Sequence, residues 1–153
     1  MNKRTELETM KTMLRSLGAD YYDLLLPETH VLPTLLHSDE RVTGIVYGRY
    51  SQPPNLTVGR GALVATTKRV LLVDKKPAFL KCDEITYFVI SGVSRSNAGI
   101  AATVTLHTRI GDIHIKTLNK RCANGFVNAV EANIFTTAAT TFPPAQTQYL
   151  NGK

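Results

Sequence analysis

The stretch Ala102-Thr103-Val104-Thr105-Leu106-His107-Thr108-Arg109-Ile110-Gly111-Asp112-Ile113-His114-Ile115-Lys116 carries the pattern that decides the fold. Ala102, Val104 and Leu106 alternate with Thr103, Thr105 and His107. Ile113 and Ile115 alternate with Asp112, His114 and Lys116. A period of two is that of a strand with one buried face. Pairing Leu106 with Ile113 and Val104 with Ile115 places all four side chains on the core face, with Thr108 to Gly111 as the turn. A slip of one residue would bury His114 and expose both isoleucines, so this register is strongly specified.

Outward from this hairpin the same period recurs upstream. Thr43 to Tyr50 reads as a strand, with Ile45, Tyr47 and Arg49 on one face and Val46, Gly48 and Tyr50 on the other. Ser51-Gln52-Pro53-Pro54-Asn55 is a loop. Val58 to Thr66 is a second strand, and Thr67-Lys68 turns tightly into Arg69 to Asp74. After Lys75-Lys76-Pro77, two short strands follow, Phe79 to Cys82 and Ile85 to Ile90, with punctuation at Ser91-Gly92 and 94–99. Downstream, Asn119 caps a helix from Lys120 to Phe135, whose inner stripe is Ala123, Phe126, Val127, Val130 and Ile134. Gly125 within it allows close packing on the sheet.

The first residues are helical in period instead. Leu7, Met10, Leu14 and Leu17 recur at spacings of three and four on one face of a helix over about Lys3 to Leu17, stopped by Gly18. This stripe can pack on the barrel, pair with another copy as an assembly helix, or lie on a membrane surface. A short helix over Asp20 to Leu26 ends at Pro27, and Pro33 opens another reaching His37. The expected organisation is a helical extension over 1–38, a β domain over 39–135 and a flexible tail over 136–153.

A chain of 153 residues buries about 68–70% of its unfolded surface, enough for one core. Its net charge of +6 is uneven: residues 1–39 carry −2 and residues 40–135 carry +7. The basic part is the β domain, which favours anionic partners unless the charge serves solubility alone. Arg49, Arg60, Lys68, Arg69, Lys75, Lys76 and Lys81 fall around consecutive hairpins and can form one basic rim. Cys82 and Cys122 make no paired motif and read as free thiols. With no secretory h-region and no apolar run long enough to span a bilayer, a cytoplasmic location is expected.

Seven short strands closed by one C-terminal helix resemble the pleckstrin-homology superfold. The motifs resemble the bacterial PH-like domains of the YokE-like group. Leu35-Leu36-His37-Ser38-Asp39-Glu40-Arg41-Val42, then Gly61 to Val73, Asp83-Glu84-Ile85, Gly111 to Ile115 and Ala123 to Ile134 carry the likeness. It implies an α+β, mainly β, PH-like β-barrel of about seven antiparallel strands with a C-terminal helix and a short N-terminal helical extension. It also implies a binding or assembly module, commonly oligomeric, with no catalysis and no cofactor. Phosphoinositide-binding relatives use a basic residue on strand one and a Lys/Arg-x-Arg on strand two. Here Arg49 and Arg60 flank the loop, but Ala62 stands where the last arginine would be.

Other chemistry is sparse. His107 and Asp112 face each other with His114 diagonal, a polar outer face or, with adjustment, a metal set. His30 and His37 are separated by Pro33. No nucleophile elbow and no phosphate loop occur. The expectation is a non-enzymatic interaction module for a protein partner or itself. The alternative is an anion-binding module whose basic rim takes anionic lipid headgroups or nucleic acid.

Overall fold

The computed structural model describes residues 2–53 and 57–141. Three helices come first: α1 (Lys3–Ser16), α2 (Tyr21–Leu25) and α3 (Pro27–Leu35). Asn2 caps α1 through the Thr5 amide at 2.8 Å. Seven strands follow: β1 (Val42–Gln52), β2 (Thr57–Thr66), β3 (Arg69–Lys76), β4 (Phe79–Thr86), β5 (Ile90–Ala98), β6 (Ala101–Thr108) and β7 (Gly111–Thr117). Helix α4 (Lys120–Thr141) closes the described chain, its Cys122 amide capped by Asn119 Oδ1 at 3.1 Å.

The strands form one antiparallel sheet in the order β4-β3-β2-β1-β7-β6-β5. Leu106 pairs with Ile113 and Val104 with Ile115, the register that the alternation requires. Gly111 closes that hairpin at φ 126°, a conformation that favours glycine. The sheet wraps around its interior without joining its two edges, β4 and β5. Val46, Leu63, Leu72, Ile85, Ile90 and Ile115 share one core with Phe126 and Val130 of α4. At Gly48, β1 runs so close to β7 that any Cβ would overlap the Lys116 carbonyl.

A second core lies on the outer face of β1, β2 and β3. Ile45, Tyr47, Val64, Leu71 and Val73 pack there against Met10, Leu14, Leu24 and Leu32 of the three helices. Burial on both faces explains why Ala62 to Ala65 and Val70 to Val73 are apolar without alternation. Polar contacts stitch the layers together. Glu28 accepts the Lys75 amide at 2.7 Å, Thr29 bonds Tyr47 at 2.6 Å, and Asn119 donates to Gly18 and Asp23.

Several local expectations change. Pro27 begins α3 and Pro33 lies inside it, so no separate helix runs from Pro33 to His37. Phe79 to Thr86 is one strand, because all eight residues pair with β3. Tyr87–Val89 is a 3-10 turn rather than strand. The Ser/Gly-rich segment taken as punctuation is β5 itself. Most of it is exposed, so it needed no apolar alternation. The side-chain position of Gly125 faces the Leu17 carbonyl at ordinary contact distance, while the tight helix–sheet approach is made by Gly44 of β1, where a Cβ would meet the Phe126 Cα and the Gly125 carbonyl. Helix α4 continues to Thr141, into the segment expected to be a flexible tail; residues 142–153 lie outside the described residues, as do residues 54–56.

Candidate functional site

The seven candidate basic residues are not brought together. Strand β3 begins at Arg69, just after Lys68, and carries Lys75 and Lys76 at its other end. Seven steps of ~3.3 Å separate those ends by roughly 23 Å. At the first end Arg69 does not project from its turn. Its guanidinium reaches Glu40 at 2.9 and 3.0 Å, Glu84 at 3.1 Å and the Leu35 carbonyl at 3.1 Å. Burial pushes the Glu40 carboxyl up, but hydrogen bonds from Arg69, Thr66 and the His37 amide outweigh it and hold the pKa at about 2. Lys68 pairs with Asp39 at 2.6 Å on the surface.

At the other end most of the charge is also spoken for. Tyr50 donates to Asp74 at 2.6 Å, and burial followed by Asp74 pushes the phenol well above its ordinary range. Lys76 bonds Asp74 and the Arg60 carbonyl. Lys81 donates to Gln52 at 2.5 Å, lies 3.7 Å from Asp83 and sits over the Tyr50 ring at 5.5 Å. Lys75 turns to the Lys76 carbonyl at 2.7 Å. Of the seven, the Arg49 and Arg60 side chains alone make no such bond among the described residues, although the Arg60 carbonyl accepts from Lys76. They face each other across β1 and β2, and Lys116 faces Arg49 from β7.

The helical stripe is covered by the chain itself. Met10 and Leu14 are buried in the second core, Leu17 packs against it and Leu7 is half-buried. Little of that face is left for a second copy.

His107 does lie opposite Asp112, with Nδ1 at 3.1 Å from Oδ1, and its Nε2 reaches Ser94 Oγ at 3.1 Å. His114 bonds Thr105 instead, at 2.9 Å. The two imidazoles therefore serve different partners. Among the described residues no three such side chains converge as metal ligands. Hydroxyl, imidazole and carboxylate in this order have the connectivity of an activated nucleophile. Here His107 and Asp112 are 40% and 46% exposed, so water competes for each bond and the desolvation such a relay depends on is missing.

Two clefts lie along the open edges of the sheet. One, of ≈380 Å³, has Ile85, Val89 and Ile113 inside and Asp83 and Glu84 at its rim. Its lining is acidic and apolar, the reverse of a phosphate pocket. The other, of ≈250 Å³, runs between β5 and α4 and is lined by Ser91, Gly92, Val93, Glu131, Ile134 and Phe135. Phe135 at its mouth is 78% exposed, and β5 has β6 as its one ladder neighbour.

A bent antiparallel sheet of seven strands, plugged by a C-terminal helix and carrying grooves at its edges, defines a pleckstrin-homology-type binding module. Residues 36–132 match the family described as bacterial PH domain, and the chain belongs to that family. Among solved structures it is similar to the Vps36 N-terminal PH domain, with 14% identity, a TM-score of 0.52, and coverage of 68% of this chain and 86% of that one. It is also similar to a DUF1696-family protein with a pleckstrin-homology domain from Shewanella loihica PV-4, with 18% identity and a TM-score of 0.46 over 67% of this chain and 89% of that one. No curated protein matches it in sequence. At these identities the structural likeness is one of fold.

Sequence reasoning missed the β5 edge and the Arg69–Glu40 pair. Neither has a periodic signal. The Asp39-Glu40 and Lys68-Arg69 dipeptides of opposite charge, flanking β1 and β2, were the available hint for the pair.

Proposed function

We propose that this chain is a non-enzymatic docking module that receives an extended segment of another protein along the free edge of β5. The observation that supports this reading is the conjunction of an unpaired strand edge with an apolar groove beside it. A peptide added to an edge strand gains main-chain hydrogen bonds, and its alternate side chains reach a flanking groove. Gly92 and Val93 floor that groove, and Ile134 and Phe135 wall it. A second copy of the chain is one such partner. A cytoplasmic setting suits the exposed unpaired thiol of Cys82, which an oxidising compartment would not preserve. No helix among the described residues is long and apolar enough to cross a membrane.

Sizing by light scattering at low and high salt asks whether the occupant is a second copy. A salt-insensitive dimer that Phe135→Asp converts to monomer identifies self-docking. If the chain is monomeric, peptides selected by display against it should lose binding to the Phe135→Asp variant. Selected peptides that bind the variant unchanged contradict the proposal.

A further inference from the structure

Arg60, Arg49 and Lys116 occupy directly facing positions on β2, β1 and β7. All three are exposed and share the outer face of the sheet. Neighbouring strands lie ~4.8 Å apart, so three cations stand within roughly 10 Å. Like charges placed directly opposite each other destabilise a ladder. None of the three side chains has an ion pair or hydrogen bond among the described residues. The row continues on the far side of Lys116 with the hydroxyls of Thr103 and Ser96, which face each other in turn. Every other cation of the suggested rim has found a carboxylate or carbonyl, so within the rim Arg49 and Arg60 are the charges left uncompensated, and Lys116 adds a third beside them.

Its surroundings narrow the ligand. On β1 and β2 the next outward-facing residues, Tyr47 and Ala62, are already covered by the N-terminal helices. The cations therefore lie at the foot of a step one helix, or ~10 Å, high. A strand or rod of phosphates can lie along such a step, whereas a flat bilayer meets the helical layer first. Arg forks and hydroxyl donors suit phosphate oxygens. The row holds no aromatic side chain on which bases could stack.

We infer that the Arg49–Arg60–Lys116 row is a nucleic-acid phosphate-backbone site that binds without regard to base sequence. It is independent of the β5 docking groove.

The test is fluorescence anisotropy of a labelled mixed-sequence DNA duplex, with the full chain and with R49Q/R60Q/K116Q. Three neutralised phosphates give a log–log salt slope of about −2.7, or about 40-fold weaker binding between about 50 and about 200 mM salt. The triple variant should lose most of the affinity and nearly all of the salt slope. A control with the same charge change at exposed cations elsewhere, R4Q/R15Q/R109Q, should retain most of both. Circular dichroism confirms that each variant is folded. Absence of duplex binding at low salt, or equal loss in both variants, overturns the inference. So does preferential capture of anionic vesicles or polyglutamate through these same residues.

Discussion

Arg69 and Glu40, 29 residues apart in the chain, are joined as a buried, two-point ion pair with Nε–Oε2 at 2.9 Å and Nη2–Oε1 at 3.0 Å. The Glu40 side chain has no exposure and that of Arg69 has 11%. The same guanidinium holds the Leu35 carbonyl at the end of α3, so the pair ties the helical layer to the start of β3. Such a pair contributes little relative to an apolar packing, but losing one partner strands the other charge.

The pair makes stability depend on acid. Glu40 has its pKa lowered from 4.5 to about 2. A depressed carboxyl contributes stability above its unfolded pKa, and that stability is lost as pH falls through the folded value. About 3 kcal/mol at most should disappear between pH ~4.5 and ~2. Asp23 acts in the opposite sense: burial, partly countered by Asn119, raises its pKa and makes its charged form a small cost. Denaturant unfolding across this window should show a steep decline in the native chain and a flatter one in Glu40→Gln. Near neutral pH that variant should be less stable by about 3–5 kcal/mol. Parallel pH profiles would contradict the assignment.

Asn119 does two jobs with one side chain. Its Oδ1 caps α4 while its Nδ2 donates to Gly18 and Asp23. Asn119→Ala should cost about 2–3 kcal/mol, one part for the cap and the rest for two unsatisfied partners. Asn119→Asp keeps the cap acceptor but places a carboxylate beside Asp23, and should recover only part of the loss. Chemical denaturation of the two variants measures both.

Helix α1 belongs to the folded body. Leu14 is fully buried and Met10 nearly so. Leu14→Ala should cost about 2–5 kcal/mol. Deleting residues 1–18 uncovers the outer face of β1 to β3 and should produce an unstable, aggregating chain. A truncated chain with unchanged melting temperature would mean that α1 is an assembly arm instead.

The strands that alternate were legible in the sequence because burial on one face leaves a period of two. The Leu106–Ile113 register is the clearest case. Where burial is two-sided, as in Val70 to Val73, or nearly absent, as in Ser94 to Ala98, the period vanishes and the reading weakens. That is why β5 passed as a loop. The site was less legible still. Charges close in sequence, such as Arg69 and Lys75, were separated by strand length. Arg49 and Lys116, 67 positions apart, were joined by a ladder that no local pattern announces.

The docking claim is tested most directly by two-dimensional amide NMR of the labelled chain during titration with a display-selected peptide. Shifts and slowed amide exchange should be confined to β5 and the α4 turn around Glu131 to Phe135. Perturbation centred instead on the acidic cleft at Asp83 and Glu84, or on the row at Arg49, Arg60 and Lys116, with β5 unmoved, would contradict it.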